Sequence, residues 1–191
     1  MATLLYIHGF LSSPLSYKAQ LTQQWLLQNR PDIHFSCPQL TPYPDECHAI
    51  LSEVLEQRPE PVYLLGSSMG GFWAHYFAER DNLRAVLVNP AVEALTLMPA
   101  YVGQMLKSYY SETYYVLNNT HIEELKTYAT KKITQPDNFW LMAQTGDETL
   151  DYKAAVTQYE HCKQTIEVGG NHSFENFENH LPNIIDFFEN T

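Results

Sequence analysis

The stretch that most constrains this 191-residue chain is Val62-Tyr63-Leu64-Leu65-Gly66-Ser67-Ser68-Met69-Gly70-Gly71. An apolar run of strand type breaks into small residues and then restarts as Phe72-Trp73-Ala74-His75-Tyr76-Phe77-Ala78. A strand that turns at once into a helix brings two backbones close together, and only residues as small as glycine leave room for that approach. Gly66-x-Ser68-x-Gly70 in this setting is the pattern of a nucleophile elbow, in which a strained turn lifts a serine hydroxyl clear of a sheet. So short a pattern also arises by chance, so its weight depends on what the rest of the chain places beside it.

Similar apolar runs flank it. A strand is predicted over 3–7, a helix opened by Ser13 and Pro14 to about Asn29, and a brief strand over 33–35. Pro38, Pro42 and Pro44 then make a rigid loop. Asp45 is read as the cap of a helix whose stripe Cys47, Ile50, Leu51, Val54 and Leu55 ends before Pro59. Beyond the elbow helix, 69–80, comes a strand over 84–88, closed by Asn89-Pro90. Between 91 and 137 the alternation lapses and no strand is apparent, which predicts an inserted, mostly helical segment. Strands over 139–143 and 165–168, a helix over 152–161 and an apolar helical period from Phe174 to Phe188, interrupted at Pro182, complete the chain. Strands alternating with helices predict an α/β fold: a mostly parallel sheet of about six strands covered by helices on both faces. One domain over 1–191 is expected, with 91–137 as a helical cap insertion.

The bulk composition narrows the partners. At 45% hydrophobic and 17% charged the chain is globular in type, and its formal net charge of −11 argues against a binder of nucleic acid or of an anionic membrane surface. Cys37, Cys47 and Cys162 are odd in number and widely spaced, which suggests neither a disulfide framework nor a zinc site. The opening residues lack a basic segment ahead of their apolar run, and the apolar region 85–102 is broken by Asn89, Pro90, Glu93 and Pro99. A cytoplasmic protein acting on a small molecule, without membrane span or zinc site, is expected; the oligomeric state is open.

Ligands of open α/β sheets sit beyond the carboxyl ends of the strands, and three chemically able residues fall there. Ser68 follows the third predicted strand, Asp147 the fifth and His172 the sixth. A serine hydroxyl is a poor nucleophile until an imidazole takes its proton, and the imidazole needs a carboxylate to fix its tautomer. Glu148 and Asp151 compete with Asp147, which is preferred because it directly follows the turn glycine and leads into Leu150. His34, His48, His75, His121, His161 and His180 lie in predicted element bodies or the insertion, where a solvated or core imidazole is the ordinary role. His8 does end a strand, but His8-Gly9-Phe10 reads better as an early loop braced by His8. The backbone N–H groups of Phe10 and Met69 are the candidate donors to an oxyanion.

Together, His8-Gly9-Phe10, Gly66-Ser67-Ser68-Met69-Gly70-Gly71, Gly146-Asp147-Glu148 and Gly170-Asn171-His172-Ser173-Phe174 resemble the α/β-hydrolase superfamily. More closely, Tyr6-Ile7-His8-Gly9-Phe10-Leu11-Ser12-Ser13-Pro14 and the compact length resemble the small bacterial YqiA-type esterases. The resemblance implies a cofactor-free esterase or thioesterase with Ser68, Asp147 and His172 as its catalytic residues. It also implies that the usual antiparallel opening strands are missing. One departure concerns the acid, which in the superfamily often stands two or three residues beyond its glycine and here is adjacent to it.

The insertion carries Tyr101, Tyr109, Tyr110, Tyr114, Tyr115 and Tyr128, and more lysine than acid between 101 and 135. The tyrosines either wall an acyl or aryl pocket or pack the insertion onto the body, and the lysines belong first to a solvated surface and second to the attraction of an anionic substrate such as an acyl thioester with phosphates. A non-catalytic binding or scaffold module is the competing reading, because fold does not dictate function.

Overall fold

A computed structural model describes residues 2–57 and 60–190. Six strands, β1 (Thr3–Ile7), β2 (His34–Ser36), β3 (Val62–Ser67), β4 (Arg84–Val88), β7 (Phe139–Gln144) and β8 (Lys163–Glu167), form one sheet in the order β2-β1-β3-β4-β7-β8. Every pairing in it is parallel. The central strands are buried on both faces, and alternate residues divide between two cores. Leu5, Ile7, Leu64, Leu87 and Leu141 face α2 (Pro44–Gln57), α3 (Met69–Asp81) and α6 (Tyr152–Gln158). Leu4, Tyr6, Leu65, Val86 and Met142 face α1 (Tyr17–Asn29) and α7 (Leu181–Glu189). The α/β class, the mostly parallel six-stranded sheet and the helices on both faces are therefore as the sequence predicts.

Some local readings change. The first helix starts at Tyr17 because Ser13 closes a turn instead: its hydroxyl takes the Leu15 N–H at 3.0 Å, and its carbonyl takes the Ser16 N–H at 3.0 Å. Asp45 is not a cap. It lies inside the first turn of α2, where its carboxylate accepts the Tyr128 hydroxyl at 2.7 Å. The expected stop of α2 at Pro59 lies outside the described residues.

The insertion contains a short helix α4 (Ala94–Leu97) and a longer one, α5 (Asn119–Tyr128), capped by Asn118. Between them lies an unforeseen antiparallel hairpin of β5 (Met105–Lys107) and β6 (Tyr114–Val116). These strands are three residues long and largely exposed, so they carry no apolar alternation to read. The segment builds its own small core of Ala94, Met98, Leu106, Leu117, Ile122 and Leu125, which rests on Phe10, Leu11 and Met69 above the strand ends.

Candidate active site

Ser68 joins β3 to α3 with φ 56° and ψ −121°, a region an L-residue occupies at a cost of about 1–3 kcal/mol. The strain is held in place from several directions. Ser68 donates its N–H to Val88 O at 3.0 Å, and its carbonyl accepts from Gly71 at 2.9 Å and Ala91 at 3.0 Å. A Cβ at Gly70 would lie 1.8 Å from Ile7 O, and one at Gly66 would lie 2.3 Å from Gly70 O. Both glycines are there because α3 starts hard against the ends of β1 and β3.

The structure brings Ser68, His172 and Asp147 together from three strand ends. Ser68 Oγ lies 3.1 Å from His172 Nε2, and His172 Nδ1 lies 2.9 Å from Asp147 Oδ2. Asp147 Oδ1 also accepts the N–H groups of Thr149 at 2.8 Å and Leu150 at 2.9 Å. Burial acts to raise the Asp147 carboxyl; the His172 bond and these two amides outweigh it and hold the pKa below the usual carboxylate value. An ionised acceptor at Nδ1 places the ring proton there and leaves the Nε2 lone pair toward Ser68. The competing acids do other work: Glu148 accepts the backbone N–H of His172 at 3.0 Å, and Asp151 caps α6 by accepting from Lys153 at 2.9 Å.

The early loop runs beside the serine, since a Cβ at Gly9 would lie 3.7 Å from Ser68 Oγ. Among the described residues the backbone N–H groups of Phe10 and Met69 have no acceptor within the protein. His8 braces this loop. Its Nε2 accepts the Leu40 N–H at 3.0 Å, so its Nδ1 carries the proton and donates to Gly9 O at 2.9 Å. Burial lowers its pKa, although the Gly9 bond resists, and the ring stays a neutral strut. A cavity of about 500 Å³ opens over Ser68 and His172, walled by Phe10, Met69, Leu97, Met98, Tyr101 and Tyr110. Among the described residues no group of three His, Cys, Asp or Glu side chains is arranged to hold a metal ion, and no helix is long and apolar enough to cross a membrane.

The family described as Uncharacterised protein family (UPF0227) matches residues 3–189. The chain belongs to the UPF0227 family. Solved structures superimpose on this family member over nearly its full length. A protein from Agrobacterium vitis S4 assigned as a hydrolase is 17% identical, with TM-score 0.76, covering 98% of this chain and 88% of that one. Mouse alpha/beta hydrolase domain-containing protein 10 is 18% identical, with TM-score 0.71 and coverages of 96% and 88%. Est1E from Butyrivibrio proteoclasticus is 17% identical, with TM-score 0.69 and coverages of 97% and 86%. At such identities the likeness establishes the α/β-hydrolase fold.

Two amide side chains that sequence reasoning missed hold the histidine loop of this UPF0227 member. Asn89, at the end of β4 with φ 42°, donates to the carbonyls of Asn171 and His172, each at 3.1 Å, and accepts the Gln144 N–H at 3.0 Å. Gln144, at the end of β7, accepts from Asn171 at 3.1 Å and Glu175 at 2.8 Å. Their one legible signal was a polar residue ending an apolar strand. The insertion's tyrosines divide. Tyr101, Tyr109 and Tyr110 line the cavity, whereas Tyr115 packs on Tyr43 and Tyr128 packs on Trp73, Tyr76 and His48. Lys107 and Lys126 pair on the surface with Glu112 and Glu123, away from the cavity.

Proposed function

We propose that the protein is a serine hydrolase that cleaves carboxylic esters or thioesters through an acyl-enzyme intermediate. The observation that carries this reading is the unbroken hydrogen-bonded chain from Ser68 Oγ through His172 to Asp147, open to a cavity of about 500 Å³. Ser68 Oγ attacks the acyl carbonyl while His172 Nε2 takes its proton. Asp147 steadies the imidazolium, and the Phe10 and Met69 N–H groups receive the oxyanion. His172 then protonates the departing alcohol or thiol, and water, activated by the same nitrogen, releases the acid.

Names among the structural neighbours point the same way: Est1E has been solved with ferulic acid bound, and LipS and LipT are described as lipolytic enzymes. In this reading residues 91–137 act as a cap on a single α/β-hydrolase domain, with Tyr101 and Tyr110 setting which acyl groups fit. Three free thiols, Cys37, Cys47 and Cys162, accord with a cytoplasmic setting.

The test is turnover of 4-nitrophenyl butyrate and labelling by a fluorophosphonate. Wild type is expected to hydrolyse the ester and label at Ser68, and Ser68→Ala to lose at least ~10⁴-fold in kcat while keeping its melting temperature. Undiminished turnover in Ser68→Ala refutes the assignment, and a wild type that neither turns over nor labels favours a binding module on the same fold.

A further inference from the structure

The cavity over Ser68 is electrostatically one-sided. The residues lining it include one cation, Lys18, and no carboxylate, in a protein of formal net charge −11. Lys18 Nζ donates to Ser173 O at 2.7 Å, beside His172, and enters no ion pair among the described residues. It stands at the second residue of α1, where the helix dipole disfavours a cation and where no acid offsets it. Burial pushes its pKa down to about 8, with the charge of Asp147 only partly opposing. Next to it the Ser16 hydroxyl is buried with no hydrogen-bond partner, and it heads α1 without capping it. The N-terminus of α1 has no side-chain cap, and the Lys18 ammonium lines the cavity without a carboxylate partner among the described residues. An anion entering the cavity there would pair with the Lys18 ammonium.

The corner lies on the histidine side. His172 protonates the leaving group, so a group that reaches Lys18 through the Ser173 neighbourhood belongs to the alcohol or thiol half of the substrate. The apolar wall of Leu97, Met98 and Tyr101 is left for the acyl half. Resting on the serine-hydrolase reading above, we propose that Lys18, at the N-terminus of α1, selects esters or thioesters whose leaving group carries a carboxylate or phosphate.

The experiment compares two butyrate esters, of 4-nitrophenol and of 5-hydroxy-2-nitrobenzoate, in wild type, Lys18→Met and Lys18→Arg. The readout is the ratio of kcat/KM for the carboxylated over the neutral ester, so a uniform loss through the Ser173 contact cancels. Lys18→Met is expected to lower that ratio about 10-fold or more, and Lys18→Arg to keep it within about 3-fold of wild type. An equal ratio in wild type and Lys18→Met overturns the proposal. A larger Lys18→Met effect on 4-nitrophenyl hemiglutarate, whose anion is in the acyl half, overturns the leaving-group placement. Calorimetric binding of 5-hydroxy-2-nitrobenzoate to Ser68→Ala needs no turnover, and adding Lys18→Met should weaken it about 10-fold; unchanged binding also overturns the proposal. Absence of wild-type turnover with Lys18-dependent binding would instead refute only the hydrolase reading.

Discussion

Asn89 Nδ2 donates to the carbonyl oxygen of His172 at 3.1 Å, tying the end of β4 to the loop beyond β8. The same side chain receives the Gln144 N–H from β7, so one buried amide sets the height of the histidine over the sheet. Asn89→Ala removes these bonds and leaves a buried N–H unpaired, at a cost of about 1–3 kcal/mol in stability. Because the loop it frees carries the general base of the proposed mechanism, kcat on 4-nitrophenyl butyrate should fall about 10–100-fold with KM nearly constant. Steady-state kinetics beside a thermal melt checks this, and an unchanged kcat would count against any positioning role.

Three carboxylates stand within five residues, Asp147, Glu148 and Asp151, and each has a different partner. Asp147→Asn should lower kcat/KM on the order of 10³–10⁴-fold, since an amide no longer enforces the proton on Nδ1. Glu148→Gln retains an acceptor for the His172 N–H and should cost less than about 10-fold. Asp151→Ala removes the α6 cap, so the melt should record about 1 kcal/mol lost. A largest kinetic effect at Glu148 or Asp151 would reassign the acid.

His75 makes a pH prediction away from the cavity over Ser68. It is buried on α3 with Nδ1 2.8 Å from the Tyr159 hydroxyl, and burial lowers its pKa to about 4, against the pull of Glu79. Above about pH 6.5 the ring is neutral in both folded and unfolded chains and contributes nothing to the pH slope. Between about 6.5 and 4 the unfolded chain binds a proton that the folded one refuses. Stability therefore falls as pH drops, by up to about 1.4 kcal/mol per pH unit from this group. Urea midpoints across that window should show a shallower slope in His75→Phe; equal slopes would mean that His75 is not held neutral.

The core of the candidate site was legible because each member ends an apolar run with a small or polar residue: Gly66 to Gly70 at the end of β3, Gly146-Asp147 after β7, Gly169 to His172 after β8. Strand ends are readable, but side-chain direction within a loop is not. The sequence therefore favours Asp147 over Glu148 and Asp151 only by its place after Gly146, and it does not say which carboxylate faces the His172 ring. Ser13-Pro14 gives the same local signal for a helix start as for the turn it makes. Lys18 was hidden for a different reason. It lies 155 residues from Ser173 in the chain, and nothing local marks a lysine in α1 as facing a cavity built from the other strand ends.

The divided tyrosines of the insertion separate selectivity from stability. Tyr101 and Tyr110 line the cavity, with Tyr101 at 5.3 Å from Phe10 between ring centres, while Tyr128 is locked between α2 and α3 by stacking on His48 and by its bond to Asp45. Removing a ring from the cavity wall adds room for acyl carbons, whereas removing one from the packed seam leaves a void that neighbours fill poorly. Across nitrophenyl esters from acetate to decanoate, Tyr110→Ala and Tyr101→Ala should move the best acyl length upward with little change in melting temperature. Tyr128→Ala should keep the wild-type length profile and lose about 2–4 kcal/mol of stability. A length profile shifted by Tyr128→Ala and untouched by the other two would mean that the insertion does not wall the acyl pocket.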